Sequence, residues 1–461
     1  MLYGIADVIV LAVGGFLLLP LYTRTLSQAE FGIYVIFRAN TEIFTYLLFF
    51  GLPSAVGRLY FVYKKTNQHI EYMSSVVTFF LFIFLTFGIV LMFWGGSFWT
   101  ILSPGVSVEP YLGFSVALAS VGFYGAIGSI WLRMEGRVIA FVGLQVIASV
   151  VLASVAVITL VFLGKGLVGL LYALLISSAC SALVLPWLFG RRYHPVISWA
   201  HITESLHYSV PIVIGYIAYF VLNRISTLIL QRHVAVDQIA IFGLAQQLAM
   251  ILTIAANAFG KALQPIVFAA ELDKVAELMI RTGKILMLLM FCITSLIVLF
   301  ASEIFSLIAP KNYMAGYDIF LILLIASFVY SFSLISNTTL LYHRRPKTSV
   351  AVTIVGAILS ASLGAWLIPL YHLHGAALTI VGAFFAMTLL SHWAAHRVTG
   401  HSYLAPMTLA IATIFALSLF AVWMQHQGFP LLPSLGFKLA ICLVIFPSIY
   451  LFNIRKRLGK S

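Results

Sequence analysis

The sequence predicts an all-α integral membrane protein of about fourteen transmembrane helices, and three observations carry that prediction. The 461-residue chain is 62% hydrophobic and only 8% charged, with a mean hydropathy of +1.08, whereas roughly a quarter of the residues in an ordinary soluble domain are charged. Its apolar residues come in continuous runs, each long enough for a helix rising about 1.5 Å per residue to cross about 30 Å of hydrocarbon. Its lysines and arginines collect at alternate ends of those runs. A transmembrane β-barrel is disfavoured, because its segments of about ten residues would alternate apolar with polar.

Taken in order, the first six runs lie near 2–22, 31–61, 74–97, 111–132, 138–163 and 166–189. After a polar stretch come 209–230, 239–267, 284–308, 317–342, 348–370 and 374–394, then a final pair near 406–424 and 435–452. Run ends that should share one side carry Arg58, Lys64, Lys65, Arg133, Arg137, Arg191, Arg192, Lys274, Arg281, Lys284, Arg344, Arg345, Lys347, Arg397, Arg455, Lys456, Arg457 and Lys460. The opposite ends carry Arg24, Lys165, Arg232 and Lys311, a ratio of eighteen to four. That asymmetry follows the positive-inside rule and places both termini in the cytoplasm of a prokaryotic cell membrane. Losing or adding one span would scramble the alternation downstream. The net charge of +13 is then mainly a topology signal, which needs no nucleic acid and also suits anionic lipid headgroups.

Met1 leads directly into the first run without a basic segment or a small-residue cleavage site, which predicts an uncleaved start. The alternative is a start read too far downstream, with a short cytoplasmic helix missing. Cys180, Cys292 and Cys442 lie singly in apolar runs with neither metal-ligand nor disulfide spacing, and read as packing residues.

At an offset of about 208 to 210 residues the chain resembles itself. Gln28 to Tyr34 lies over Val236 to Phe242, the hinge Arg133 to Arg137 over Arg344 to Lys347, and Gly166 over Gly375. Together these predict two six-helix lobes in parallel repeat, since six spans return the chain to its starting side. Such repeats are a transporter architecture with the substrate site between the halves; the competing explanation is that apolar helices resemble one another by composition. The domains expected are an N-lobe at 1–190, a cytoplasmic linker at 191–208, a C-lobe at 209–397, and two helices with a basic tail at 406–461. Within the linker, Ala200 to Leu206 suits a short interfacial helix, and Ala269 to Lys284 reads as an amphipathic cytoplasmic segment.

The run Leu17-Leu18-Leu19-Pro20-Leu21-Tyr22-Thr23-Arg24-Thr25-Leu26-Ser27, followed by Glu30-Phe31-Gly32-Ile33-Tyr34, resembles the signature after the first helix of polysaccharide-biosynthesis membrane proteins. These are the oligosaccharide flippases of the multidrug/oligosaccharidyl-lipid/polysaccharide (MOP) exporter superfamily. Gly51 to Arg58 is similar to the end of that family's second helix, Tyr208 to Pro211 to the start of its seventh, and Phe259 to Pro265 to the close of its eighth. The resemblance runs over about residues 3–400. It implies a MATE-like V shape with two extra C-terminal helices. It also implies transport of undecaprenyl-diphosphate-linked oligosaccharide, such as an O-antigen, exopolysaccharide or capsule repeat unit, from the inner to the outer leaflet. Polymerase or ligase machinery would be its partners. Asn223 stands before Arg224 where many members have aspartate, which casts doubt on ion coupling at that position.

Ionisable groups within a span cost at least about 2.5–3.5 kcal/mol each at mid-helix on insertion scales, so by default they face a cavity or a partner. Asp7, Arg38, Glu42, Arg224 and Lys261 are the candidates. Arg38 and Glu42, four apart on one face, suit an ion pair; alternatively Arg38 joins Arg224, at similar depth near the outer surface, in gripping a diphosphate. Tyr216, Tyr219, Asn223, Gln246, Gln247 and Asn257 offer hydrogen bonds to sugar hydroxyls, or merely tie neighbouring helices together. Asp7, which resembles an acidic position common in the family, and Glu42 are the candidates for a coupling cation.

A membrane-embedded glycosyltransferase or polymerase would need carboxylates in a sizeable outer loop, but the longest, about 96–110, carries only Glu109. His392 and His396 have the spacing of a zinc helix without its glutamate, and His372 with His374 lacks further ligands, so no metal or cofactor is expected. GxxxxGK[ST] is missing, which excludes a nucleotide-driven pump in this chain alone. A multidrug exporter of the same superfamily is the nearer alternative. Cationic drugs favour a carboxylate-lined cavity, and two arginines against one glutamate point to an anion.

Overall fold

A computed structural model describes residues 16–268, 272–400 and 413–420. Among the described residues the secondary structure is helical throughout, with no strand. The helices are α1 (Leu19–Thr25), α2 (Gln28–Phe49), α3 (Leu52–Lys65), α4 (His69–Leu102), α5 (Tyr111–Met134), α6 (Val138–Val157), α7 (Gly166–Ala182) and α8 (Val184–Phe189). They continue as α9 (Trp199–Leu230), α10 (Val236–Phe268), α11 (Leu272–Leu299), α12 (Ala301–Ile308), α13 (Tyr317–Tyr342) and α14 (Pro346–Thr399). Ten helical stretches among the described residues are long and apolar enough to cross a membrane. The 54-residue α14 covers two of the runs expected from sequence and leaves helical geometry at His372 (φ 48, ψ −118), between them. The runs at 2–22, 406–424 and 435–452 fall largely or wholly outside the described residues.

Local chemistry sets the boundaries that matter for the site. Ser27 caps α2 and its hydroxyl accepts from the Glu30 amide at 3.2 Å, while Glu30 Oε2 accepts from the Ser27 amide at 2.9 Å, a reciprocal capping box. The other Glu30 oxygen accepts the Leu167 amide at 3.1 Å, pinning the start of α7. A Cβ on Gly166 would collide with Glu30 Oε1, so the glycine is required by close approach. At its other end α2 stops on Phe50 (φ 46) and Gly51 (φ 68), both left-handed, and Pro53 helps start α3. The second membrane-spanning stretch, Gln28–Lys65, is therefore broken in its middle.

Contacts divide the chain into two compact units: Met1–Gln247 with Val350–Ala383, and Leu248–Ser349 with Phe384–Ser461. In the first, α5 packs on α7, α2 on α5, and α9 lies along α2, α3 and α4. With lipid as solvent the hydrophobic effect does not drive helices together, and close packing of small residues takes over. Gly125 and Gly128 of α5 illustrate this: a Cβ on Gly128 would strike Val184 Cγ1, and one on Gly125 would lie 3.2 Å from Ser181 Cβ. Phe80 and Phe123 stack with centroids 3.6 Å apart, and Phe49 meets both edge-on. Met92, Phe93, Trp94, Ile139 and Trp187 point outward, as lipid-facing residues do. In the second unit α11 packs on α13 around Met279, Leu286, Met290 and Phe328.

Ala200 to Leu206 differs from expectation. It is the beginning of α9, which runs unbroken through Pro211, a residue that membrane helices accommodate better than soluble ones. Side chains hold this stretch onto α3 and α4. Tyr63 donates to Glu204, and the Tyr72 and Ser205 hydroxyls are 3.0 Å apart. His201 is buried edge-on against the stacked rings of Tyr63 and Tyr72.

Candidate functional site

The candidate site forms where α9 crosses α2, the first half of the broken span. Arg224, two turns before the end of α9, reaches Glu42 of α2: Arg224 Nε donates to Glu42 Oε2 at 2.9 Å. Both side chains are half-buried, at 21% and 29% exposure respectively. The second Glu42 oxygen accepts the Tyr46 hydroxyl at 3.2 Å. Tyr46 in turn stacks on Tyr216 of α9, with centroids 5.9 Å apart and planes 23° apart, and meets Phe220 edge-on at 6.1 Å. Beyond the helix break, the Ser54 hydroxyl of α3 lies 2.8 Å from the Tyr216 hydroxyl. The backbones come close at this bend, where a Cβ on Gly51 would lie 2.9 Å from Val213 Cγ2 and 3.0 Å from Ser209 O.

This arrangement decides one of the sequence alternatives. Arg38 and Glu42 do not form an ion pair; Glu42 turns instead to Arg224 on the neighbouring helix. In an i, i+4 pair the favourable order places the acid N-terminal to the base, and here the arginine comes first. Arg38 remains exposed and has no ion-pair partner among the described residues. Arg224 is therefore level with Glu42, one turn deeper than Arg38, a difference of about 6 Å along the helix.

The neutral candidates separate by partner. Asn223 Nδ2 donates to Tyr219 O at 2.8 Å, and Gln246 Nε2 donates to Asn223 O at 3.1 Å. Those amides tie α9 to itself and to α10, and Gln246 is buried. Tyr219 and Gln247 are half-buried in the same unit. Asn257, also half-buried, belongs to the second unit. Asp7 lies outside the described residues, as does the side chain of Lys261. Sequence reasoning missed Tyr46, Ser54 and Phe220. Tyr46 carried a usable signal, since it follows Glu42 by one helical turn, whereas Ser54 and Phe220 become visible only once α9 is laid against α2 and α3.

The rim formed by the starts of α2 and α10 is tightly packed. A Cβ on Gly32 of α2 would run into Val236 O of α10, and one on Gly243 of α10 would run into Val35 of α2. Gln28 Nε2 donates to Asp237 O at 3.1 Å. At the end of α9, Gln231 and Arg232 donate to the terminal carbonyls of α4, Arg232 Nη2 reaching Ile101 O at 3.0 Å and Gln231 Nε2 reaching Leu102 O. They satisfy acceptors that a helix end leaves open. The whole is a cation-bearing, aromatic-walled polar site inside the span and beneath a closed rim, suited to holding one charged group.

A family model described as polysaccharide biosynthesis protein matches residues 5–271. Among solved structures, the chain is similar to the lipid II flippase MurJ in an inward closed conformation, with TM-score 0.73 and 15% identity over 98% of this chain and 99% of that one. It is also similar to inward-facing and outward-facing conformations of a multidrug resistance MATE family transporter of the MOP superfamily. Their TM-scores are 0.66 and 0.63 and their identities 19% and 16%, each over 90% of this chain and 95% and 96% of theirs. These are likenesses of fold. No curated protein matches the chain.

Proposed function

The chain belongs to the polysaccharide biosynthesis protein family, and from that premise we propose that it flips undecaprenyl-diphosphate-linked oligosaccharide from the inner to the outer leaflet by alternating access. The observation that carries the reading is Arg224, a guanidinium well inside a span. Its Nε donates to Glu42, and its Nη groups complete the planar fork. A planar fork of that kind matches phosphate oxygens in pairs, and Arg38 adds a second cation one turn outward. Tyr46, Tyr216 and Tyr219 supply rings and hydroxyls on which sugar faces stack and bond. The cargo class is thus anionic at one end and polyhydroxylated at the other.

The proposal includes fourteen spans in a cell inner membrane, cytoplasmic termini, and lobes at 1–190 and 209–397 joined by the linker 191–208. One contact supports the repeat. At an offset of 208, Val35 corresponds to Gly243, and these two positions touch each other, as equivalent positions lying on a two-fold axis between repeats do. A second reading, export of cationic small molecules, is favoured by the Glu42 carboxylate beside the Tyr46, Tyr216 and Phe220 rings.

Purified protein in liposomes distinguishes these readings. Lipid-linked oligosaccharide should change leaflet without a glycosidic bond being made or broken, and deleting the gene should leave the lipid-linked unit on the inner leaflet. Uptake of organic cations with no movement of the lipid would establish the second reading, and covalent turnover of glycan by the purified protein would establish an enzyme.

A further inference from the structure

We propose that Glu42 is an internal competitor for the cargo's anion: its carboxylate holds Arg224 when the site is empty, and an arriving diphosphate displaces it, unlatching α2 from α9. This rests on the diphosphate reading of the site and adds how the site responds to being filled. The Glu42–Arg224 bond is the one salt bridge described between these two helices, and it joins segments 182 residues apart in the chain. It occupies the Nε edge of the guanidinium. Phosphate gains its full paired contact with arginine through adjacent nitrogens, and a carboxylate already on Nε stands in the way of the Nε–Nη edge. Glu42 and a diphosphate carry like charge and compete for the same guanidinium edge, so a diphosphate that takes its paired contact there displaces Glu42.

Glu42 has somewhere to go. Its other oxygen is held by Tyr46 on its own helix, so a released carboxylate keeps one hydrogen bond while the bond between helices is lost. The elements packed most extensively against α2 are α1, α4, α5, α7 and α9, and α10 meets its first half. Of these, α9 brings Arg224 and Tyr219 toward Glu42 and Tyr46, and α4 has no ionisable side chain from Met73 to Leu102. The other described cation on α2 itself is Arg38, one turn from Glu42, and because it lies on the same helix, pairing with it would not restore the link to α9. A ligand shifts a conformational equilibrium only by its differential affinity for the two states. The competition supplies that difference for dianionic cargo and withholds it from neutral lipids and cations, so Glu42 acts as a selectivity element as well as a latch.

The test uses the full chain in nanodiscs and a short-chain polyprenyl diphosphate N-acetylglucosamine as probe. Glu42→Gln keeps the shape and removes the competing charge. It should bind the probe about tenfold tighter, equivalent to about 1.4 kcal/mol, and Glu42→Asp should fall between. In an Arg224→Gln background, which itself binds weakly, Glu42→Gln should change nothing further. Spin labels at Leu47 of α2 and Ile217 of α9, both exposed, report the latch in a background with the native cysteines replaced. Empty Glu42→Gln should show the distance distribution of probe-saturated wild type, and a neutral polyprenyl glycoside should leave wild type unmoved. Unchanged or weaker binding by Glu42→Gln, or the empty wild-type distance in that variant, overturns the latch alone if binding still depends on Arg224. If the probe binds wild type and Arg224→Gln equally, the diphosphate reading fails and the latch fails with it.

Discussion

Arg224 has a task that its neighbours cannot take over. Asn223 and Gln246 spend their amides on backbone carbonyls, and Arg38 stands about one turn away along α2. A charge-assisted bond from an arginine is worth about 1.5–3 kcal/mol, and the partial exposure of Arg224 argues for the lower end. Arg224→Ala should therefore reduce export about tenfold or more at normal membrane abundance, and Arg224→Lys should be intermediate because it keeps charge and loses the fork. Export assays normalised to immunoblot would show it; wild-type export by Arg224→Ala at wild-type abundance would end the diphosphate reading. Glu42 is paired with Arg224, so Arg38→Ala strands no carboxylate among the described residues. The sequence marks both arginines and the glutamate as costly and hence purposeful, but the choice of partner depends on which helix lies against which. Spacing along one helix cannot supply that.

At the scale of the element, glycines at points of close approach govern how near two backbones come. Gly128 faces Val184, whose branched side chain is stiff at χ1, so Gly128→Val should lower stability by about 1–3 kcal/mol through overpacking. Gly143 has nothing within 4 Å of the place its Cβ would take and serves as the control, since Gly143→Ala should be neutral or mildly stabilising in a helix. Melting of the purified variants in detergent, followed by loss of monodispersity, would test the pair; equal melting temperatures would refute it. Run lengths and charges make most of the helices legible in advance, because about 20 apolar residues are a strong signal. The two runs at 348–370 and 374–394 are legible as well, separated within α14 by the break at His372. The continuity of α9 through Pro211 is less legible, because it depends on backbone geometry at one residue and hydropathy averages over many.

For the whole molecule, topology is the property that sequence fixes most economically, through the placement of lysine and arginine. Reporter fusions after Ser461 and within 191–207 should read cytoplasmic, and a fusion within 96–110 should read external. An external C-terminal reporter would overturn both the count of spans and the parallel arrangement of the repeats. The site was legible only as a set of residue types; its assembly needed α9 laid along α2 and α3, which a single chain of letters does not encode locally. The left-handed break at Phe50 and Gly51 has a consequence for how such a protein can diversify. It divides one span into a stretch committed to the sealed rim and another joined to it through two torsion angles rather than a continuous ladder of backbone bonds. Substitutions on α3, beyond the break, can accumulate without loosening the rim, whereas Glu42 and Tyr46 share one continuous helix with it, so the residues that face Arg224 are inherited together with the seal.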